Sequence, residues 1–452
     1  MTERRTFVLE APIGRAIWSL AWPLVLSNEL SVVSTGILYF WLGHLLGKPG
    51  LVVDSLFSPF SLMVAWFFSS AAVGASVLVS RSVGASDGRG MSIASAATTL
   101  TLALWGIVAL VLLPVSPWLA DVLSGDLPVA SVVWPFLLGW LLVELPAMSV
   151  QAVLFEVISA TGFTKFHLAR TAIEIAFIAA LVPVLIGPVG LGIAGTPIAM
   201  GIGALGLSVV VWVTLHRRRA ALGLGEPGGG GWRTRWSLWK ELLVVGVPLQ
   251  VGRIVMFAAE LILVRLVMQD GETNVAGYGI ARLLLMFGAT ATFAIAQGGA
   301  ILIGQSLGAG REVRARRAIR TTLFVAWSVS AAFIVLTMFD RPIIEVFTSD
   351  VSMIDATDHA MSLMRWGFVA VATYQVMMST FGAYRTTVRA GSMVIVGEAF
   401  GVALAFLLPG SRLDAVCMSF IASNMLKAVL LLALVPLGAL DAGAPAAARS
   451  PD

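Results

Sequence analysis

The amino-acid sequence predicts an all-α membrane protein with twelve transmembrane helices arranged in two pseudo-symmetric six-helix lobes. Hydrophobic residues make up 58% of the chain and charged residues only 12%, whereas a soluble domain carries about 25% charged residues. Long apolar runs recur along the chain, without the period-two alternation that is typical of membrane barrels. Several residues recur at an offset of about 224, among them Gly84 and Gly308, and Glu174 and Glu398. An offset this long indicates an internal duplication, which in a membrane protein is typical of transporters.

Twelve apolar stretches are long enough to cross the membrane as helices. Several contain about 28 residues, which at 1.5 Å per residue exceeds a hydrocarbon core of about 30 Å, so we expect them to tilt or to protrude. The predicted spans lie roughly at 16–43, 52–80, 92–120, 130–158, 167–187, 190–215, 241–268, 275–304, 318–340, 352–383, 391–409 and 413–436. The predicted domains are an N-terminal six-helix lobe at 1–215, a linker at 216–240, a C-terminal six-helix lobe at 241–440 and a disordered tail at 441–452.

The charges in the loops predict the orientation of the chain. With twelve spans, nearly all loop lysines and arginines fall on one side, and the other side holds only Lys48, Arg341 and Arg412 together with most loop acids. Positive charge marks the cytoplasmic side of a membrane. We therefore expect a multi-pass protein of the cell membrane with both termini in the cytoplasm.

The linker at 216–240 combines three features that predict a cytoplasmic segment in contact with the membrane surface. His216 and the arginines at 217–219 end one span, and a glycine run at 228–231 is typical of a flexible connection. Trp232, Trp236 and Trp239 follow at a spacing near one helical turn. This pattern suits an amphipathic helix in the headgroup region, ahead of the seventh span.

Several classes of function lack the residues that they need. A single cysteine, Cys417, excludes an internal disulfide, and the four histidines have no metal-ligand spacing. No Gly-x-Ser-x-Gly or Walker motif is present, so we expect neither an enzyme nor a nucleotide-driven pump, and no cofactor. The basic residues sit at helix ends and in short loops, so nucleic acid is not an expected partner.

The duplicated loop carries the most informative motif. Gly304-Gln-Ser-Leu-Gly-Ala309, followed by the arginines at 314, 316 and 317, resembles the signature after the eighth span of the multidrug and toxic compound extrusion family. Other stretches are similar to further landmarks of that family: residues 275–282, residues 158–165, Pro23 and Gly43. In residues 158–165, Ser159 and Phe163 replace the family's arginine and aspartate.

The resemblance extends from about residue 13 to residue 435. It implies an antiporter that exports small organic, drug-like and often cationic molecules in exchange for H⁺ or Na⁺. It also implies two six-helix lobes that form a V and open alternately to either side of the membrane. We expect the partners to be a small-molecule substrate, the coupling ion and membrane lipid, and we expect a monomer.

Glycines in the duplicated loop predict the local backbone. A short turn between packed helices needs residues that tolerate a positive φ, and we expect Gly84 and Gly308 to fill that role. The neighbouring arginines would hold the loop at the cytoplasmic face and contact anionic lipid. Both motifs therefore read as landmarks of the fold rather than as ligand sites.

An antiporter needs a group inside the membrane that changes charge when an ion binds. Buried carboxylates suit this task, because burial disfavours their charged form and either H⁺ or Na⁺ can neutralise them. The resemblance places such acids at three positions that are occupied here by Leu38, Met256 and Tyr374. This difference leaves the choice between H⁺ and Na⁺ open.

Glu260 is the first candidate for the coupling residue. Arg253 lies seven residues earlier on the same predicted helix face, and Gln250 lies near that face. The two charges are about 10.5 Å apart along the axis, so we expect them to bracket a ligand rather than to bond directly. The alternative is that each pairs with another helix and serves packing only.

Other intramembrane candidates lie in both halves. Asn28 belongs to a polar stripe on the first span that suits either a cavity lining or helix packing, and Glu29 lies off that stripe. Glu144, two residues before a proline, is expected to face a cavity. Glu174 and Glu398 are equivalent in the duplication, and we expect near-interface ion pairs with the preceding arginines, Arg170 and Arg389.

Tyr278 opens a mixed face on the eighth span, which continues through Arg282, Met286, Phe293 and Gln297. Methionine and aromatic side chains adapt to many ligand shapes, although such a face is also common in plain helix packing. The sequence therefore favours a secondary-active multidrug exporter. The alternatives are a flippase for a lipid-linked sugar or lipid, and a membrane enzyme or scaffold.

Overall fold

The structure is a computed structural model that describes residues 3–124, 130–226, 232–347 and 349–435. All regular secondary structure in these ranges is helical, which confirms the predicted class. The α-helices are α1 (Glu3–Glu10), α2 (Ile13–Leu46), α3 (Lys48–Ala85), α4 (Gly90–Ser124), α5 (Ala130–Gly139), α6 (Leu145–Ala160), α7 (Lys165–Ile186), α8 (Gly195–Leu222), α9 (Trp232–Val267), α10 (Glu272–Gly308), α11 (Glu312–Leu336), α12 (Arg341–Phe347), α13 (Val351–Met364), α14 (Phe368–Ala383), α15 (Thr387–Leu407) and α16 (Arg412–Ala433).

Eleven helical segments in the described ranges are long and apolar enough to cross a membrane. The predicted tenth span, 352–383, is the one missing from these eleven, and a 3₁₀ turn at Arg365–Gly367 divides it into α13 and α14. Further 3₁₀ turns lie at Gly192–Ala194, Met268–Asp270 and Thr337–Phe339. Several spans are indeed longer than the hydrocarbon core requires, since α3 has 38 residues and α10 has 37.

The fourth predicted span contains a π-helical turn at Trp140–Glu144, between α5 and α6. The amide of Leu145 donates to the carbonyl oxygen of Trp140, five residues earlier. Pro146 follows at once and has no amide hydrogen, so the regular pattern of hydrogen bonds cannot continue through it. Such turns interrupt α-helices mainly where function or packing requires it.

The chain forms two compact units. The first unit comprises Met1–Val8 and Leu26–Val247, and the second comprises Leu9–Val25 and Pro248–Asp452. The predicted lobes at 1–215 and 241–440 differ from these units, because two of the divisions fall inside the long helices α2 and α9, close to Pro23 and at Pro248, and a third falls inside α1. The predicted tail at 441–452 lies outside the described residues.

Equivalent glycines support the duplication at the level of packing. In the first unit, a Cβ on Gly74 would lie 2.5 Å from the carbonyl oxygen of Leu242. In the second unit, a Cβ on Gly298, 224 residues later, would lie 3.1 Å from Cα of Ala21. Both glycines allow two helix backbones to approach closely, as is usual in membrane helix packing. In the first unit α3 packs against the start of α9, and in the second unit α10 packs against the start of α2.

Both ends of the predicted linker are helical in the described residues, and its glycine run at 228–231 lies outside them. Helix α8 continues to Leu222 and ends at Gly223, whose φ of 71° caps it. The carbonyl oxygen of Leu224 accepts a hydrogen bond from the Met91 amide at 3.0 Å, so the segment packs beside the start of α4. The predicted interfacial segment is the first part of α9, where Trp239 Nε1 donates to Thr99 Oγ1.

The prediction for the loop glycines was wrong, because the helices extend further than expected. Gly84 and Gly308 both lie inside helices, and the left-handed conformation occurs instead at Ser86 and Gly310, with φ of 56° and 70°. In the first unit, Arg5 Nη2 donates to the carbonyl oxygen of Gly84 at 2.7 Å. Gly84 therefore serves as a hydrogen-bond acceptor and not as a residue with a positive φ.

Two of the loop arginines bind protein backbone in the second unit. Arg311 Nη1 donates to the carbonyl oxygen of Leu9, and Arg314 Nη2 donates to that of Ala11, both at 2.7 Å. These bonds satisfy carbonyl groups at the end of α1, where no helical amide can reach them. The motif thus anchors the N-terminal segment, in addition to any contact with lipid.

Candidate functional site

Glu260 on α9 is held by two side chains of α10. Arg282 donates from Nε to Oε1 and from Nη2 to Oε2, both at 2.7 Å, and the Tyr278 hydroxyl donates to Oε1 at 3.1 Å. A two-point guanidinium–carboxylate contact of this kind is among the strongest polar interactions in proteins. The sequence identified Glu260 and Tyr278 separately, and the structure brings them together.

Local sequence explains why both donors reach one acceptor. Tyr278 and Arg282 are four residues apart, so they lie on one face of α10. The connection from α9 is tight, because Gly271 adopts a φ of 97° immediately before α10 begins. The hairpin therefore sets the final turns of α9 beside the first turns of α10.

A second ion pair joins α15 and α16. Lys427 Nζ lies 2.5 Å from Glu398 Oε1, and the two side chains are only 2% and 10% exposed. Gly397 makes room for the lysine stem, since a Cβ there would lie 2.2 Å from Cγ of Lys427. The predicted pairing of Glu398 with Arg389 was wrong, because Lys427 on the neighbouring helix α16 pairs with the carboxylate instead.

Two of the positions at which the resemblance implies acids meet in the structure. The Tyr374 hydroxyl lies 3.6 Å from the sulfur of Met256. The ring of Tyr374 also packs under Lys427, whose Nζ is 4.5 Å from the ring centroid. The ion pair of α15 and α16 therefore lies beside the place where the resemblance implies carboxylates.

Each cation in this region lies over an aromatic ring. Arg253 is 4.7 Å from the Phe293 centroid and Arg282 is 5.6 Å from the Phe420 centroid, in addition to the contact of Lys427. Lys427 lies within electrostatic range of Glu398, Arg282 and Glu260, and Tyr374 lies within range of Glu398, Arg253 and Arg282. We call this set the membrane polar cluster: Arg253, Glu260, Tyr278, Arg282, Tyr374, Glu398 and Lys427.

The two ion pairs of the membrane polar cluster differ in the exposed fraction of their side chains. The side chains of Glu260 and Arg282 are 25% and 34% exposed, whereas Lys427 is almost completely buried. Charged groups avoid lipid tails because of the large desolvation cost. The Glu260–Arg282 pair is therefore the accessible part of the membrane polar cluster.

Gln250 lies one helical turn before Arg253 on α9. Its side chain is 2% exposed, and neither its amide nitrogen nor its oxygen has a hydrogen-bond partner among the described residues. Burying an amide without a partner costs about 1–3 kcal/mol. Glu260 pairs with Arg282 on another helix, which is the alternative that the sequence analysis left open for this residue.

The predicted residues of the first unit form a different arrangement. Arg170 Nη2 lies 3.3 Å from Glu174 Oε2 within α7, which agrees with the predicted pair. Glu174 also lines a small pocket with Gln151 and Gly203. Glu144 is half-buried at the end of the π-helical turn.

The polar stripe of α2 serves helix packing at its buried end. Ser27 Oγ lies 2.6 Å from Thr171 Oγ1 and contacts the His167 carbonyl oxygen at 3.3 Å. Ser31 and Thr35 donate to carbonyl groups of their own helix. The neighbouring candidates Asn28 and Glu29 are half-buried.

Lys427 is the functional candidate that the sequence analysis missed. The search for charged groups inside the spans considered acids, which are the usual coupling residues. A lysine six residues from the end of α16, within an apolar run, was the available signal, because an intramembrane cation is as costly as an anion.

The comparisons with known proteins agree with this architecture. The MatE family model matches residues 23–185 and 248–407, one segment in each half of the chain. The chain belongs to the MatE family. Members of this family are membrane transporters for small molecules, and the two matched segments begin at Pro23 and Pro248, where the compact units divide.

Individual relatives are more distant. The chain is 24% identical over 376 residues to the probable multidrug resistance protein YoeA of Bacillus subtilis (strain 168), with 80% of each chain covered. It resembles a crystal structure of MATE in the straight conformation, with a TM-score of 0.86, 18% identity and coverage of 98% and 100%. It also resembles the Vibrio cholerae MATE transporter VcmN in the bent form, with a TM-score of 0.86, 16% identity and coverage of 95% and 98%. At these identities the structures support the fold.

Proposed function

We propose that the protein exports small organic molecules in exchange for inward-moving H⁺ or Na⁺ and works by alternating access. The observation that carries this proposal is the partly exposed Glu260 carboxylate, bound inside the membrane by Arg282 and Tyr278. A carboxylate in this setting has two alternative partners: the arginine, or an arriving cation.

Binding of an ion at Glu260 changes the state of Arg282. A proton on Oε2 removes the acceptor for Nη2, and a sodium ion on the same oxygens competes with the guanidinium for them. Arg282 is then available to a substrate, whereas loss of the ion restores the pair. Coupling follows because the ion and Arg282 cannot both hold the carboxylate.

Two features of the relatives support the proposal. The Bacillus relative is named as a probable multidrug resistance protein. Structures similar to the chain include straight, bent and outward-facing forms, which are the kinds of state that alternating access requires. The second unit, in which four helices (α9, α10, α15 and α16) contribute charged residues to the membrane polar cluster, is the part of this chain suited to respond.

Purified protein in proteoliposomes tests the proposal, with a proton gradient and a sodium gradient imposed separately. We expect accumulation of a substrate under one gradient and a loss of at least about tenfold in Glu260→Gln, since one charge-assisted interaction is worth about 1.5–3 kcal/mol. Glu272→Gln is the matched control, because Glu272 is exposed at the start of α10. Equal rates in wild type and Glu260→Gln would remove Glu260 from coupling.

A flippase is the second candidate function. It is favoured by the composition of the membrane polar cluster, in which three cations accompany two carboxylates. Fluorescent lipid analogues in the same proteoliposomes distinguish the two functions, because only a flippase moves a labelled headgroup between leaflets.

A further inference from the structure

We propose that the membrane polar cluster binds organic anions, that is, molecules with a carboxylate, sulfonate or phosphate group on an apolar or aromatic body. This proposal rests on the proposed export function and specifies its substrate class. It differs from what the resemblance implies, which is often a cation.

Charge is the first argument. Arg253, Arg282 and Lys427 provide three positive charges, and Glu260 and Glu398 provide two negative charges, so the cluster has a formal charge of plus one. An additional cation would raise the positive charge in a medium where charges are poorly screened, and an anion would neutralise it. The electrostatic balance of the cluster therefore favours an anionic ligand over a cationic one.

The aromatic rings provide an independent argument. Transporters and receptors often bind organic cations over aromatic faces. In this cluster Phe293, Phe420 and Tyr374 each already lie against a cation of the protein. A cationic drug would have to displace that charge, whereas the outer face of a stacked guanidinium is suited to a planar anionic group.

Hydrogen-bond donors complete the site. Within the described ranges, Arg282 uses Nε and Nη2 on Glu260, and its Nη1 has no acceptor. The buried Gln250 amide nitrogen, one turn before Arg253, also has no partner among the described residues. An oxyanion carries several acceptor lone pairs and can satisfy such donors, while a quaternary or tertiary ammonium cannot.

Two dyes with the same xanthene ring system provide a matched test. Carboxyfluorescein is an anion and rhodamine 123 is a cation, and the binding of each to purified full-length protein is measured by fluorescence polarisation. We expect carboxyfluorescein to bind more tightly. Arg253→Gln should weaken its binding roughly 10- to 100-fold, the effect of losing one charge-assisted hydrogen bond.

Two further variants separate charge from fold. Arg253→Lys keeps the charge and should retain most of the affinity. Arg265→Gln removes an arginine from an exposed position on the same helix, and should leave binding of carboxyfluorescein unchanged. Tighter binding of rhodamine 123, or an unchanged affinity in Arg253→Gln, would overturn the proposal.

The anionic group could belong to a soluble molecule or to a lipid headgroup. Gradient-driven movement of carboxyfluorescein in proteoliposomes identifies a soluble anion, whereas transbilayer movement of labelled phosphatidylglycerol that depends on Arg253 identifies a lipid. Either result supports the binding of anions. If carboxyfluorescein binds but neither probe moves, the export function fails while the assignment of the binding site stands.

Discussion

Glu174 and Glu398 occupy equivalent positions in the two halves of the chain but make opposite kinds of ion pair. In the first unit, Glu174 pairs with Arg170 on its own helix, and the two side chains are 18% and 24% exposed. In the second unit, Glu398 pairs with Lys427 on a different helix, out of reach of solvent. The same acid at the same place in the duplication thus forms a partly exposed pair within one helix in one half and a buried pair between two helices in the other.

The position opposite each glutamate explains the difference. Subtracting the repeat offset of 224 from Lys427 leads to Gly203 on α8. Gly203 lines the pocket that also contains Glu174, so the first unit has space where the second has a lysine side chain. At this one helix position the second unit has a lysine that pairs with the carboxylate, whereas the first unit has a glycine and a small cavity beside the carboxylate.

The largest expected effect comes from breaking the buried pair. Lys427→Met leaves Glu398 charged and without its partner, and should destabilise the protein by about 3–5 kcal/mol. The double variant Glu398→Gln with Lys427→Met should recover most of that loss, because two neutral side chains need no counter-charge. Thermal unfolding of the purified protein measures both. Equal stability of the single and double variants would show that the pair is not coupled.

Substitutions of two glycines on α8 test whether the first unit has free space beside Gly203. A Cβ on Gly201 would lie 2.8 Å from the backbone carbonyl carbon of Val143 in the π-helical turn, whereas one on Gly203 would be 3.4 Å from Phe177. Gly201→Ala should therefore cost about 1–3 kcal/mol, and Gly203→Ala should be close to neutral. The same unfolding assay decides, and a larger loss for Gly203→Ala would contradict the assigned packing.

The smallest effect is expected for the pair within α7. Arg170→Gln removes the partner of Glu174, but a partly exposed pair four residues apart on one helix contributes only about 0–1 kcal/mol. The unfolding temperature should shift much less than in Lys427→Met. A loss as large as that of the buried pair would mean that Glu174 depends on Arg170 as strongly as Glu398 depends on Lys427.

Part of the candidate site was visible in the sequence because it follows from spacing along one helix. Glu260, Tyr278 and the pair of Arg170 with Glu174 could be identified in this way. Partners on other helices could not, since the rotation and depth of each helix are set by packing. Arg282 was recognised only as part of a mixed face, and Lys427 was overlooked.

The sequence alone determined the membrane class, the duplication and the order of the spans, because apolar length and repeat offset are properties of the chain itself. Tertiary structure decided where the helices change units, where the tenth span breaks, and which charges meet. The reason is physical: burying an ion in a membrane is so costly that its partner is chosen by proximity in space, and proximity between helices depends on how closely glycines such as Gly74, Gly298 and Gly397 let their backbones and side chains approach.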